Sequence, residues 1–355
     1  AIGLGACDPD RWPTVIRPAS NATVRLLRFV GLANPRIEQV TFRDGYPADL
    51  YGGDFKGGAF HATRVTNLVV VKCRFVNCSG VQYGGAMYAD QCSGWISNCT
   101  FIGNISRNAG DRWGYGGGLF LNAGHWSIRD TVLVQNRVIA GSSLGGGAYL
   151  AGGTQIFQNV LIANNSVNGS FTLQGGAIYR DGAGWVQFDN CTLAHNGGGA
   201  ALYRAGGTVG VLNSIIWSNS SSDMANMTAA DFTNSCAVGL IPGVQGNLAQ
   251  DPLFEIPLWY LKAESPCLNA GNRTAADAGL SGYTTLTNGG LDNAQVDLGY
   301  HAQAGLIYDI DLYVQPDGND GNSGLAPGSG TALRSITRAL TLAATRTRIH
   351  VSAGT

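Results

Sequence analysis

GGAMYADQCSGWISNCTFIGN runs from Gly84 to Asn104, and GGGLFLNAGHWSIRDTVLVQN runs from Gly116 to Asn136. Each stretch opens on paired glycines, places an aromatic ring five residues in, and closes on a short apolar run ending in Asn. The Gly-Gly motif occurs six times, at Gly57, Gly84, Gly116, Gly145, Gly175 and Gly198, with spacings of 27, 32, 29, 30 and 23 residues. The closing motif recurs between copies as CRFVNC from Cys73, CTFIGN from Cys99, TVLVQN from Thr131, VLIANN from Val160, CTLAHN from Cys191 and SIIWSN from Ser214. A unit of this length, holding two or three short β-rich runs and no helical period, is one rung of a parallel β-solenoid.

Stacking explains the residue types. Equivalent positions on neighbouring rungs lie about 4.8 Å apart, so each column becomes a ladder of like side chains. One column reads Phe42, Phe75, Phe101, Leu133, Ile162, Leu193, Ile216 and forms the core. Two others are amide columns: Asn98, Asp130, Asn159, Asn190, Asn213 and Asn104, Asn136, Asn165, Asn196, Asn219. Stacked amides at a corner satisfy one another and the turn backbone. A further column, His61, Tyr88, Phe120, Tyr149, Tyr179, Tyr203, reads either as packing within the wall or as a stripe for stacking sugar rings.

Composition agrees. Glycine is 52 of 355 residues, and only three Lys and three Glu occur, which disfavours a helical protein. A net charge of −1 gives no electrostatic case for nucleic acid or an anionic membrane surface, and the apolar runs are too short for a membrane span. Eight cysteines without zinc spacing point to disulfides in an exported chain or to buried thiols. Cys73 and Cys99 begin equivalent strands of consecutive rungs, where either a disulfide or a ladder of reduced thiols fits. Of ten N-x-S/T sequons, Asn98, Asn104, Asn190 and Asn219 read as ladder members, whereas Asn21, Asn168, Asn226 and Asn272 lie in expected loops and are glycosylation candidates.

The paired GGA[ILF] and FxxN tetrapeptides resemble the repeats of the polymorphic outer-membrane proteins, surface passengers with a right-handed β-helix. Asp251–Phe254 (DPLF), Tyr260–Asn272 (YLKAESPCLNAGN) and Asp297–Tyr300 (DLGY) resemble the C-terminal end of secreted right-handed β-helix proteins of the choice-of-anchor type. That resemblance implies a Cys236–Cys267 disulfide and an extracellular or cell-surface location. Here Asn269 stands where those proteins have Asp, and His301 where they have Glu. Residues 311–354 resemble the segment that begins such proteins: strand, Asp/Asn/Gly loop, helix from Ser335 to Leu342, then the strand Ile349–Val351. The N-terminal cap of the family thus comes last.

The expected architecture is all-β, a right-handed parallel β-helix with one short cap helix near the C-terminus. Residues 1–305 form the β-helix with its C-terminal loops, and residues 306–355 form the cap. No two acidic residues fall at matching positions of adjacent rungs, as a glycosidase or lyase would need. The expected function is therefore a non-catalytic extracellular structural protein, with a carbohydrate-binding adhesin or a polysaccharide lyase or glycosidase as alternatives. No cofactor is expected. Asp317, Asn319, Asp320 and Asn322 place oxygens at a spacing that calcium accepts, although the loop lacks the closing Glu of an EF-hand. A connector of ten residues, His301–Ile310, reaches at most about 35 Å, less than a rod of about eight rungs. The cap then docks on the first rung of the next subunit, through Leu312, Val314, Ile336, Leu340, Ile349 and Val351, and builds a head-to-tail polymer.

Overall fold

The computed structural model describes residues 14–19, 22–47, 56–108, 112–255, 259–303, 310–320, 324, 332–342 and 347–352. Of the residues named above, Asn21 and Asn322 lie outside this set. The chain divides into two compact units, Ala1–Gln250 with Leu298–Tyr300, and Asp251–Asp297 with His301–Thr355.

The first unit is the parallel β-solenoid that the repeat predicts, with about six regular turns and shorter pairings at both ends. Its pairings carry the core column in register from Ile16 through Phe42, Phe75, Phe101, Leu133, Ile162, Leu193 and Ile216 to Ala237. The rings of Phe42, Phe75 and Phe101 stack at 5.1 and 4.5 Å and are fully buried. The glycine pair at each corner serves two needs. Gly84, Gly116, Gly145 and Gly175 have φ between 63° and 71°, a left-handed conformation that glycine adopts without strain. Their successors Gly85, Gly117 and Gly146 lie directly against the carbonyl of the next turn, so a Cβ there would collide with backbone.

The amide columns form as expected. At one corner Asn98, Asp130, Asn159, Asn190 and Asn213 all have φ between 47° and 54°, the left-handed region that Asn and Asp tolerate best among residues with a Cβ. At the other, each Nδ2 donates to the Oδ1 of the next turn's Asn: Asn104 to Asn136 at 2.9 Å, Asn136 to Asn165 at 2.9 Å, Asn165 to Asn196 at 3.0 Å and Asn196 to Asn219 at 3.0 Å. The same Nδ2 atoms also hold carbonyls of the preceding turn, among them Phe75, Phe101, Leu133 and Ile162. The ladder therefore has a direction, and it ends at Asp223, whose Oδ1 accepts from Asn219 Nδ2 at 2.8 Å.

The cysteines decide between the two alternatives at Cys73 and Cys99 and correct the expected Cys236–Cys267 disulfide. Cys73, Cys99 and Cys236 are buried free thiols, so neither the Cys73–Cys99 nor the Cys236–Cys267 disulfide is formed. Cys73 and Cys99 share a column with Thr131, Cys191, Ser214 and Ser235 and do the work of hydroxyls. Cys99 Sγ accepts from Cys73 N at 3.4 Å, as Thr131 Oγ1 accepts from Cys99 N at 3.3 Å. Each thiol points to its own i−2 carbonyl, Val71 for Cys73 and Ser97 for Cys99, just as Thr131 Oγ1 bonds Arg129 O. Side chains aimed alike and stacked in register bring two sulfurs close without the near-perpendicular geometry an S–S bond needs. Cys236 Sγ is likewise turned to the carbonyl of Gln250, at 3.2 Å. Burial pushes the Cys191 thiol up to about 12, keeping it protonated.

In the second unit, a short helix at Ala275–Ala278 is capped by Thr274 and ended by Gly279 at φ 70°. The sequence reading expects only the cap helix, and four residues are too few to show a helical period. Antiparallel pairs join Phe254–Glu255 to Tyr260–Leu261 and Tyr283–Thr284 to Ala302–Gln303. The cap segment pairs Ile310–Val314 in parallel with Thr347–Val351, and its helix runs Ile336–Leu342. Among the described residues no helix is long and apolar enough to cross a membrane.

Candidate functional site

The strands that open the solenoid, Thr14–Ile16, Leu27–Val30 and Arg36–Glu38, each pair with the following turn. Among the described residues no strand pairs with their other edge. Val15, Val24, Val30 and Leu32 are exposed along this end, at 43–47%. The edge is mixed, for Arg28, Arg36 and Glu38 are exposed on the same strands beside these apolar residues.

The cap segment has an edge of the same kind. One side of Ile310–Val314 is covered locally, by Tyr313 N bonding to Gly324 O and Leu333 N to Tyr313 O. Thr347–Val351 pairs with Ile310–Val314, and no second strand lies beside it among the described residues. The six residues assigned to assembly separate here. Leu312 and Val314 are buried with Leu333 and Ala339 in the cap's own core, with Ile349 packed partly against them. They shape the cap and do not face a partner. Ile336, Leu340 and Val351 are 50–62% exposed and remain candidates for contact.

The loop read as a calcium candidate has a structural use. Asp320 accepts from Arg334 N at 2.9 Å and from Ser335 N and Oγ at 2.7 Å, while Ser335 Oγ caps the helix by accepting from Arg338 N. The Ser335 hydroxyl and the two backbone donors hold the Asp320 carboxyl below the usual carboxylate range. Asp317 and Asn319 are exposed.

The aromatic stripe is wall packing. Tyr88, Phe120, Tyr149, Tyr179 and Tyr203 stack face to face at 5.1–5.2 Å, with Tyr83 and Tyr115 set edge-on against Phe120 and Tyr149. Both ring faces of Phe120, Tyr149 and Tyr179 are taken by neighbouring rings. Tyr149 Oη donates to Asp181 Oδ2 at 3.0 Å, and Asp90 Oδ1 accepts from Asn122 Nδ2 at 2.6 Å. Burial pushes the Tyr179 hydroxyl up to about 12. Of the sequon residues, Asn168, Asn226 and Asn272 are exposed.

One cluster was missed by sequence reasoning. Asp292, Asp297 and His301 are buried together, each offering a ligand atom within 4.8 Å of the others. His301 Nε2 lies 3.0 Å from Asp292 Oδ2, which also accepts from Asp297 N at 2.8 Å. Asp297 accepts from Asn269 N at 2.7 Å and from the Thr285 hydroxyl. Burial raises the Asp297 carboxyl above its ordinary value.

Compared with known proteins, the chain matches no family model, no curated protein and no solved structure.

Proposed function

We propose that the chain is a non-catalytic structural module acting outside the cell, whose copies join head to tail. The observation that carries this reading is a pair of parallel edges that no strand covers among the described residues, one at the first turn of the solenoid and one at Thr347–Val351. Both are flanked by exposed apolar residues: Val15, Val24, Val30 and Leu32 at one, Ile336, Leu340 and Val351 at the other. An exposed apolar β-edge invites another strand. Thr347–Val351 of one copy would lie parallel beside the first turn of the next, with Ile336 and Leu340 covering the end of its core. Such a contact joins two different surfaces and does not close, so it extends into a filament. The extracellular location rests on the resemblance to outer-membrane passengers and secreted β-helix proteins.

The test compares the full chain with one lacking residues 307–355, by sedimentation velocity and negative-stain microscopy. The full chain is expected to form concentration-dependent rows of subunits and the shortened chain to stay monomeric. A full chain that remains a monomer at high concentration, or a shortened chain that still forms fibres, defeats the reading.

A further inference from the structure

Inside the solenoid, one corner is polar where its neighbours are apolar. The inward column Leu68, Gly94, Trp126, Gln155, Val186, Val209 runs in register from turn to turn and is buried throughout. Gln155 Nε2 donates to Gly152 O at 2.8 Å. Arg180, fully buried, donates from Nη1 to Leu150 O at 3.2 Å, and from Nη2 to Ala183 O at 2.8 Å and Gly153 O at 3.4 Å. Both side chains thus end on carbonyls of residues 150–153. Three buried polar atoms here have no hydrogen-bond partner among the described residues: Trp126 Nε1, Gln155 Oε1 and Arg180 Nε. Two are donors and one is an acceptor, and leaving such groups unpaired is costly. The long strands also fall out of step at this corner. Ala151 pairs with Asp181 and Gly153 with Gly184, so Gly182 and Ala183 together face Gly152. The extra residue is a bulge, which lengthens that turn and interrupts its ladder.

We infer that this corner is a binding site for one internal water molecule, held by Trp126 Nε1, Arg180 Nε and Gln155 Oε1. The water oxygen accepts from the indole and guanidinium N–H groups, and one of its protons goes to the amide oxygen. About three hydrogen bonds are the usual complement of a buried water. The orientation of the Gln155 amide is fixed, because turning it over would set Oε1 against Gly152 O, two acceptors. That orientation decides the class of ligand. An anion suits the two donors but meets the lone pairs of Gln155 Oε1. A metal cation suits that oxygen but meets two N–H groups and the guanidinium charge. Water serves both. Trp126, Gln155 and Arg180 come from three consecutive turns, so the water joins those turns where the bulge interrupts the strand ladder. The site is independent of how the ends of the chain assemble.

The test uses the full chain in two ways. High-resolution crystals, native and soaked in bromide, should show one ordered oxygen about 3 Å from each of the three atoms and no bromide at the corner. In solution, the chain is perdeuterated and carries 15N-labelled tryptophan. The Trp126 indole proton should give cross peaks to water of opposite sign in laboratory-frame and rotating-frame Overhauser spectra, which marks a bound water rather than proton exchange. The exposed indole of Trp95 serves as the control and should give none of this kind. Gln155→Leu removes the acceptor and should abolish the Trp126 cross peak. A dry corner, a direct bond from Trp126 Nε1 to a protein oxygen, bromide at the site, or a cross peak that persists in the folded Gln155→Leu chain overturns the inference. If Gln155→Leu does not fold, the crystals and spectra of the unaltered chain decide alone.

Discussion

Replacing Asn136 by Ala removes the second Asn of the amide ladder. Its side chain makes four hydrogen bonds: Oδ1 accepts from Asn104 N and Nδ2, and Nδ2 donates to Phe101 O and Asn165 Oδ1. All are buried, and each contributes about 1 kcal/mol net, so the expected loss is about 4 kcal/mol. Asn136→Asp separates hydrogen bonding from packing, because it keeps shape but loses a donor. Its carboxylate would face Phe101 O and Asn165 Oδ1, both acceptors, and its folded pKa would be raised. The unfolded chain then ionises first, near pH 4, and stability is lost as pH rises from there towards the folded value. Asn136→Asp should thus be the less stable variant at pH 7 and recover in acid, whereas Asn136→Ala should show no such recovery. Urea unfolding followed by circular dichroism and tryptophan fluorescence reads both, with hydrogen exchange at Asn104 N locating the damage. A loss below about 1 kcal/mol for Asn136→Ala, or an Asn136→Asp chain insensitive to pH, would refute the ladder as a source of stability.

If Cys99 serves as a hydroxyl equivalent, Cys99→Ser should be tolerated within about 1 kcal/mol, while Cys99→Val should cost more by orphaning Cys73 N. Thermal melts of both variants under reducing conditions check this, and a Val variant as stable as Ser counts against it. Burial lowers the His195 imidazole below its ordinary value. Between its folded pKa and about 6.5 the unfolded chain binds more protons, so stability should rise with pH through that window and fall on acidification. Comparing melts at pH 5 and pH 7.5, His195→Gln should flatten the slope, and an unchanged slope rejects the assignment.

The solenoid is legible because each turn repeats the same local problem. A glycine pair, a core ring and a corner Asn return in step, and registers such as Phe75 on Phe101 follow from alignment alone. What did not repeat was harder to read. Asp223 stands outside the periodic pattern, four residues past Asn219, so its place at the ladder's end could not be aligned. At Cys73 and Cys99 a disulfide and a ladder of thiols both stayed open, because stacking reveals proximity and says nothing of direction; Thr131, Ser214 and Ser235 in the same column were the available clue. Asp292, Asp297 and His301 belong to an irregular segment of turns, where no period brings residues together and only the fold does. The cap residues Leu312 and Val314 read as apolar, which could not tell an inner face from an outer one.

The direction of the amide ladder bears on how such a chain can change in length. Every interior Asn takes a donor from one side and gives one to the other, so any turn can be followed by a copy of itself. Duplication or deletion between Asn104 and Asn196 leaves the bonding scheme intact. Only the ends are particular: Cys78 N supplies the first donor and Asp223, a pure acceptor, absorbs the last. The spacers are free to vary because they lie outside this scheme, as the 23- to 32-residue intervals between glycine pairs already illustrate. Length is thereby a quantity that recombination can adjust by whole turns, with stability kept and the terminal surfaces carried unchanged to a new distance.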